Sequence, residues 1–304
     1  MKLDNVSKKL LEKISALHEL PSGALSFRKN GRSEIIRSTA NIEIEKKTDN
    51  PGINLYIHSS CQGEACHIPV VVSEDNLNDL VYNDFYIEPN AKVVIVAGCG
   101  LHTNKNSSHN GIHTFHIGEN ASVTYIENHL ALGNGQSKML NPQTIVYLGK
   151  GAEMIMNTTQ LGGVDYANRI TKAVLDDNSS FVVNEKILTS RFNVAKTKFN
   201  VTLKGQNSKC NVISKSVAKD ESEQTFVSNL IGYNACFGRV ECDGILLNKA
   251  KIISQPKISA KHNQASLSHE ATIGKIAGDQ LVKLMTLGLS EEQSEQKIIE
   301  GFLK

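Results

Sequence analysis

The sequence contains no tryptophan, and aromatic residues make up only 5% of its 304 positions. Its core must therefore be filled mainly by aliphatic and small side chains. Neither sign of charge dominates: 33 Lys and Arg face 31 Asp and Glu, a formal net charge of +2. That balance excludes the concentrated basic surplus of a dedicated nucleic-acid binder. No apolar run approaches the roughly 18 residues that span a bilayer, which excludes an integral helical membrane protein. The first residues mix charges instead of setting a basic patch before an apolar stretch. They do not read as a secretory signal, and a cytosolic location is the expectation. Six cysteines are too sparse for a disulfide scaffold, so in a reducing compartment they read as buried thiols, metal ligands or reactive thiolates. The Gly-x-x-x-x-Gly-Lys-Ser/Thr, Gly-x-Ser-x-Gly and His-Glu-x-x-His motifs are all absent. Nothing marks a self-sufficient nucleotidase or hydrolase.

Asn, Ser, Gly and β-branched residues are plentiful, which favours strands and tight turns. The pattern Phe85-Tyr86-Ile87-Glu88-Pro89-Asn90-Ala91-Lys92-Val93 returns as Phe115-His116-Ile117-Gly118-Glu119-Asn120-Ala121-Ser122-Val123. It returns again from Val146 to Met154 and from Val174 to Phe181, with looser copies at Val201–Ser208 and Ile245–Ala250. The small residue moves from Ala91 to Ala121 to Ala152, a step of 30 and then 31. Such a period predicts stacked repeats, each unable to bury its own apolar face. A right-handed parallel β-helix is the fold this favours; a β-sandwich with regular hairpins is the alternative. Leu10, Leu11, Ile14 and Leu17 predict a helix within residues 1–20, ended by Pro21 and Gly23. Ile42, Ile44, Ile53, Leu55 and Ile57 predict strands on either side of an Asn50-Pro51-Gly52 turn. Near the C-terminus, 279–287 and a segment opened by the capping box Ser290-Glu291-Glu292-Gln293 read as two helices. The expected fold class is thus all-β with helical ends. It divides into an N-terminal helical segment (1–40), a β-helix core (41–262) and a C-terminal helical segment (263–304).

Three clusters could carry chemistry. Cys99, His102, His109, His113 and His116 are metal-ligand types, but His113 and His116 sit an odd number apart and would face opposite sides of a strand. Polar loop and ladder histidines are the favoured reading there. Cys61-Gln62-Gly63-Glu64-Ala65-Cys66-His67 lacks a second cysteine pair, and reads as a turn with small thiols. The third is Cys242, in Glu241-Cys242-Asp243-Gly244, with His269 and Glu270 about one repeat later in Ser268-His269-Glu270-Ala271-Thr272. Thiolate, imidazole and carboxylate on neighbouring rungs could suit iron; a buried thiol plus a helix-capping His-Glu pair explains the same residues.

Cys242-Asp243-Gly244-Ile245-Leu246-Leu247 is followed in order by Ser268-His269-Glu270-Ala271-Thr272, Gly278-Asp279-Gln280-Leu281, Gly288-Leu289-Ser290-Glu291-Glu292 and Ile299-Glu300-Gly301-Phe302. This ordered set resembles the C-terminal core of the SufB/SufD family, the scaffold proteins of the SUF iron–sulfur cluster assembly system. The resemblance implies a right-handed parallel β-helix that dimerises through that helix, as a homodimer or a SufB/SufD-like heterodimer. It implies that the C-terminal helices dock a SufC-type ABC ATPase, and that a transient iron–sulfur cluster is built and passed to apo-protein acceptors. It places the cluster-associated cysteine and glutamate of SufB on Cys242 and Glu270, and the histidine shared with SufD on His269. Ser268 follows the SufD pattern, whereas Glu270 follows SufB. The whole resembles the short SufB-like proteins paired with SufC in archaea and anaerobic bacteria. On this view the chain is a scaffold and not an enzyme, with ATP hydrolysis supplied by the partner. A carbohydrate-active β-helix and a purely structural solenoid are the competing functions. No spacing selects a role for Cys61, Cys66 or Cys99.

Overall fold

A computed structural model describes residues 3–133, 137–160 and 162–304. The chain opens with α1 (Asn5–Ser15), a hairpin of β1 (Ala24–Lys29) and β2 (Arg32–Arg37), and a second hairpin of β3 (Ile42–Lys46) and β4 (Gly52–Ile57). The rungs then follow: β5 (Gln62–Val72), β6 (Asn78–Ile87), β7 (Lys92–His102), β8 (Ser107–Ile117), β9 (Ser122–Leu132), β10 (Lys138–Leu140) and β11 (Gln143–Leu148). They continue as β12 (Glu153–Gln160), β13 (Tyr166–Leu175), β14 (Ser180–Thr189), β15 (Val194–Leu203) and β16 (Lys209–Ala218). The last are β17 (Glu223–Gly232), β18 (Cys236–Leu246), β19 (Lys251–Ala260) and β20 (Ala265–Gly274), before α2 (Gly278–Met285) and α3 (Glu291–Phe302).

From β5 onward, successive strands alternate between two ten-stranded sheets, except that β10 and β11 both lie in sheet B. Sheet A runs β2-β1-β5-β7-β9-β12-β14-β16-β18-β20; sheet B runs from β19 through β17, β15 and β13 to β8, β6, β4 and β3, with β10 and β11 between β13 and β8. Apart from the hairpin pairs β1–β2 and β3–β4, the pairings within both sheets are parallel. The result is a parallel β-solenoid of about eight turns.

The repeated turn has a physical cause. Asn90, Asn120, Asn178 and Asn207 take φ of 64°, 55°, 56° and 56°, and Gly151 takes 66° at the same place. Asparagine tolerates this left-handed conformation better than most residues. The next residue is fully buried in each of the first three copies, Ala91, Ala121 and Ala152. Each turn amide also donates to the turn of the following rung, as in Asn90 N–H to Glu119 O at 2.9 Å and Asn120 N–H to Lys150 O at 3.0 Å. Inside, period-two strands stack like on like: Phe85 and Phe115 lie face to face at 4.2 Å, and Phe115 meets Tyr125 edge-on.

The N-terminal helix stops earlier than Pro21 predicts, because Ala16 turns to φ 52°. Residues 24–37, within the stretch read as helical, form the β1–β2 hairpin. Helix α1 packs Leu10, Leu11 and Ile14 on the outer face of sheet A. Gly98 and Gly100 of β7 admit it: a Cβ on either would meet Ile14 or Leu10 at 2.9 Å. At the other end, the Ser290–Gln293 capping box is formed. Helix α3 lies along the outer side of sheet A, with Glu295 paired to Lys219 at 3.1 Å and the Phe302 ring 5.7 Å from Lys215 Nζ. It leaves most of β19 and β20 exposed.

Candidate cluster-assembly site at the open end

The last rungs of sheet A bring β16, β18 and β20 side by side. Cys242 lies between Ser214 of β16 and Ala271 of β20. It points inward and is fully buried. Burial pushes its thiol up to about 11, against a lowering contact from the Ser254 hydroxyl. His269 is the register partner of Val240, two residues before Cys242, and so shares the inward face. Strand spacing and rise put its Cα at about 8 Å from that of Cys242. Burial lowers the imidazole pKa, and its buried Nε2 has no hydrogen-bond partner. Glu270, one residue on, faces outward. Its carboxylate accepts from Arg239 at 2.9 Å, and Arg239 also holds Glu241 at 2.9 Å. One chain thus brings Cys242 and His269 together on the inner surface and sets Glu270 on the reverse side of the same strand. Among the described residues, no group of three or more His, Cys, Asp and Glu side chains converges closely enough to hold a metal ion. Residues 265–274, assigned from sequence to the helical end, form the strand that makes this site an edge.

A second feature escaped the sequence. A row of buried polar side chains runs through the solenoid toward Cys242. Arg28 grips Asp79 with Nε and Nη2, and His109 Nδ1 meets the same carboxylate at 2.9 Å. Farther on, the Tyr125 hydroxyl lies 2.8 Å from His113 Nδ1 and donates to Glu127 at 2.9 Å. Arg169 binds Glu127, lies 3.1 Å from His129 Nδ1, and comes within 3.8 Å of Glu185. Glu185 in turn accepts from Thr197 and from Ser214, the neighbour of Cys242. Burial opposes ionisation of Glu127, but Arg169 and the nearby histidines hold its carboxyl below the usual range. Burial raises Glu185 despite Arg169. The sequence signal was Tyr125-x-Glu127-x-His129, polar residues at the inward positions of a strand that also carries Val123 inward.

The remaining candidates separate. Cys99, His109 and His113 face the interior, with Cys99 the register partner of His129; His116 faces out in a ring stack. Burial pushes Cys99 well up. Cys61 donates its thiol to Lys92 O at 3.1 Å, and Cys66 lies in the core of β5.

The profile of the SUF system FeS cluster assembly SufBD core domain matches residues 78–302, which takes in the rungs from β6 onward and both C-terminal helices. The chain belongs to the SufBD family. An iron–sulfur cluster assembly SufBD family protein of Archaeoglobus fulgidus is 26% identical over 267 residues, 86% of this chain and 71% of that one. Another, of Pyrococcus horikoshii, is 26% identical over 297 residues, 96% of this chain and 84% of its own. A third, of Methanothermobacter thermautotrophicus, matches 79% of this chain but only 58% of itself at 26% identity. This SufBD chain therefore carries Cys242, His269 and Glu270 inside the matched core. Among its described residues no helix is long and apolar enough to cross a membrane.

Proposed function

We propose that this SufBD protein is the scaffold on which a nascent iron–sulfur cluster forms before transfer to apo-protein acceptors. The observation that carries the reading is the shared inward face of Cys242 and the unpartnered His269 Nε2 at the uncovered end of sheet A. Thiolate is the ligand form for iron and the carrier form for sulfur. A thiol protonated at neutral pH gives up its proton when iron binds. Two ligands per chain make a weak site, which suits cargo that must leave. Glu270 offers a hard oxygen donor on the outer side of β20, for iron arriving across an interface. The exposed edge of β20 suits pairing with a second chain, identical or SufD-like, that completes the set.

The chain itself supplies no nucleotide-binding loop, so ATP-driven opening is assigned to a SufC-type ABC ATPase in the cytosol. Helices α2 and α3 are its dock: Val282, Met285 and Leu287 are 60%, 43% and 76% exposed on a segment otherwise anchored to sheet A. Anaerobic reconstitution with ferrous iron and sulfide tests the site. The parent should develop cluster absorbance; Cys242→Ala should lose most of it, and His269→Ala should retain cluster more weakly. Equal cluster retention by Cys242→Ala would remove the assignment.

A further inference from the structure

The outer face of sheet B carries a groove of about 790 Å³, whereas Cys242 points inward from sheet A. A ladder of rings runs through it. Tyr56 stacks on Tyr86 at 5.1 Å, Tyr86 on His116 at 5.1 Å, and His116 on Tyr147 at 5.4 Å, with planes within 14° of parallel. Register places them so, because these residues are direct partners on β4, β6, β8 and β11. Within such a stack each ring covers its neighbour's face. Solvent meets ring edges along the ladder and a free face only at its ends.

Tyr56 is the end ring on the N-terminal side. Its cross-strand partner on β3 is Glu43, with Glu45 two residues farther on the same outward face. Both carboxylates are exposed, and neither has an ion pair or hydrogen bond among the described residues. Glu88, which lies 3.2 Å from His58 Nδ1 and accepts from Ser59 N–H, and Asp176 add negative charge along the groove, and Lys204 is the single ammonium that lines it among the described residues. A free aromatic face beside two unpaired carboxylates suits a planar cation, and guanidinium is the protein group with that shape and charge. A saccharide stacks on ring faces, and here the inner faces are already covered.

We propose that this groove docks a basic, arginine-bearing extended segment of a partner protein. One guanidinium lies on the free face of Tyr56 between Glu43 and Glu45, and the chain continues along the ring edges of Tyr86, His116 and Tyr147. The proposal does not depend on the cluster reading.

The test is fluorescence anisotropy with the full chain and three labelled nonapeptides that alternate Gly-Ser with Arg, Lys or Glu. Saturable binding is expected for the arginine peptide, weaker by a few-fold for lysine, and none for glutamate. Glu43→Gln/Glu45→Gln, whose side chains are exposed, should fold as the parent does and weaken arginine-peptide binding about tenfold. Tyr56→Leu should weaken it similarly. Cys242→Ala should bind the peptide as the parent does, which separates a failure here from a failure of the cluster site. No arginine-peptide binding, undiminished binding by the Glu43→Gln/Glu45→Gln variant, or displacement of the peptide by a cello-oligosaccharide would overturn the proposal.

Discussion

Ser214 and Cys242 are register partners on β16 and β18, and the Ser214 hydroxyl donates to Glu185 at 2.8 Å. A buried carboxylate therefore stands one side chain away from the thiol. Burial raises the pKa of both groups, and the nearby Glu185 charge adds to the rise at Cys242. Glu185→Gln keeps an acceptor for Ser214 while removing that charge. The pH at which reconstitution reaches half its maximum should move downward in this variant, read as cluster absorbance between pH 6 and 9.

Arg169 is the countercharge for Glu127 and the nearest cation to Glu185. Arg169→Met strands two buried carboxylates and should cost roughly 3–5 kcal/mol in urea unfolding. Adding Glu127→Gln to the same chain should recover part of that loss.

The interior histidines set an acid limit. His113 and His129 are buried and lowered from 6.5 to about 4 and about 3, chiefly by burial. Below about pH 6.5 the unfolded chain takes up protons that the folded imidazoles refuse, so stability must fall on acidification. The slope is about 1.4 kcal/mol per pH unit for each histidine down to its folded pKa. Asp79 and Glu127, held low by their partners against burial, add a further loss once pH drops below ordinary carboxylate values. Urea midpoints from pH 7 to 5 should decline, and less steeply in His113→Gln.

The turn register can be tested at Asn120, with φ of 55°. Asn120→Val should destabilise by about 1–2 kcal/mol because a β-branched residue resists that conformation. Asn120→Gly should be near neutral. A comparison of thermal midpoints distinguishes them.

The apolar surface of α2 and of the turn after it should matter to a partner and not to the fold. Val282→Asp/Leu287→Asp should leave the melting temperature within a degree or two and abolish co-purification with a SufC-type ATPase. Retention of the ATPase would relocate the dock.

Much of the solenoid was legible because its turns repeat a chemical requirement. Asn90 and Asn120 supply the left-handed residue, and Ala91 and Ala121 supply the small buried one. The Ser290–Gln293 cap was legible for a similar reason, since both partners lie within four residues. The proximity of Cys242 and His269 followed from a spacing of about one rung. What the spacing could not settle was facing. Glu270 adjoins His269, so strand alternation turns it outward, yet this is clear only once 265–274 is known to be a strand. The interior charges were hidden because Glu127 and Glu185 sit in strands that mix polar and apolar residues on both faces, with Ile126, Val182 and Leu188 outward. Alternation then shows two faces without saying which is inside. The β1–β2 hairpin lay before the repeat begins and carries no copy of its turn.

The two strands left bare at the end of the solenoid are not equivalent. Pro256 sits near the middle of β19, opposite Ser228 of β17, and it has no amide hydrogen to give; β20 contains no proline. Proline on an outer strand interrupts zippering by another chain. A neighbour recruited by main-chain contacts would thereby be steered to one side of the molecule, the side that carries His269.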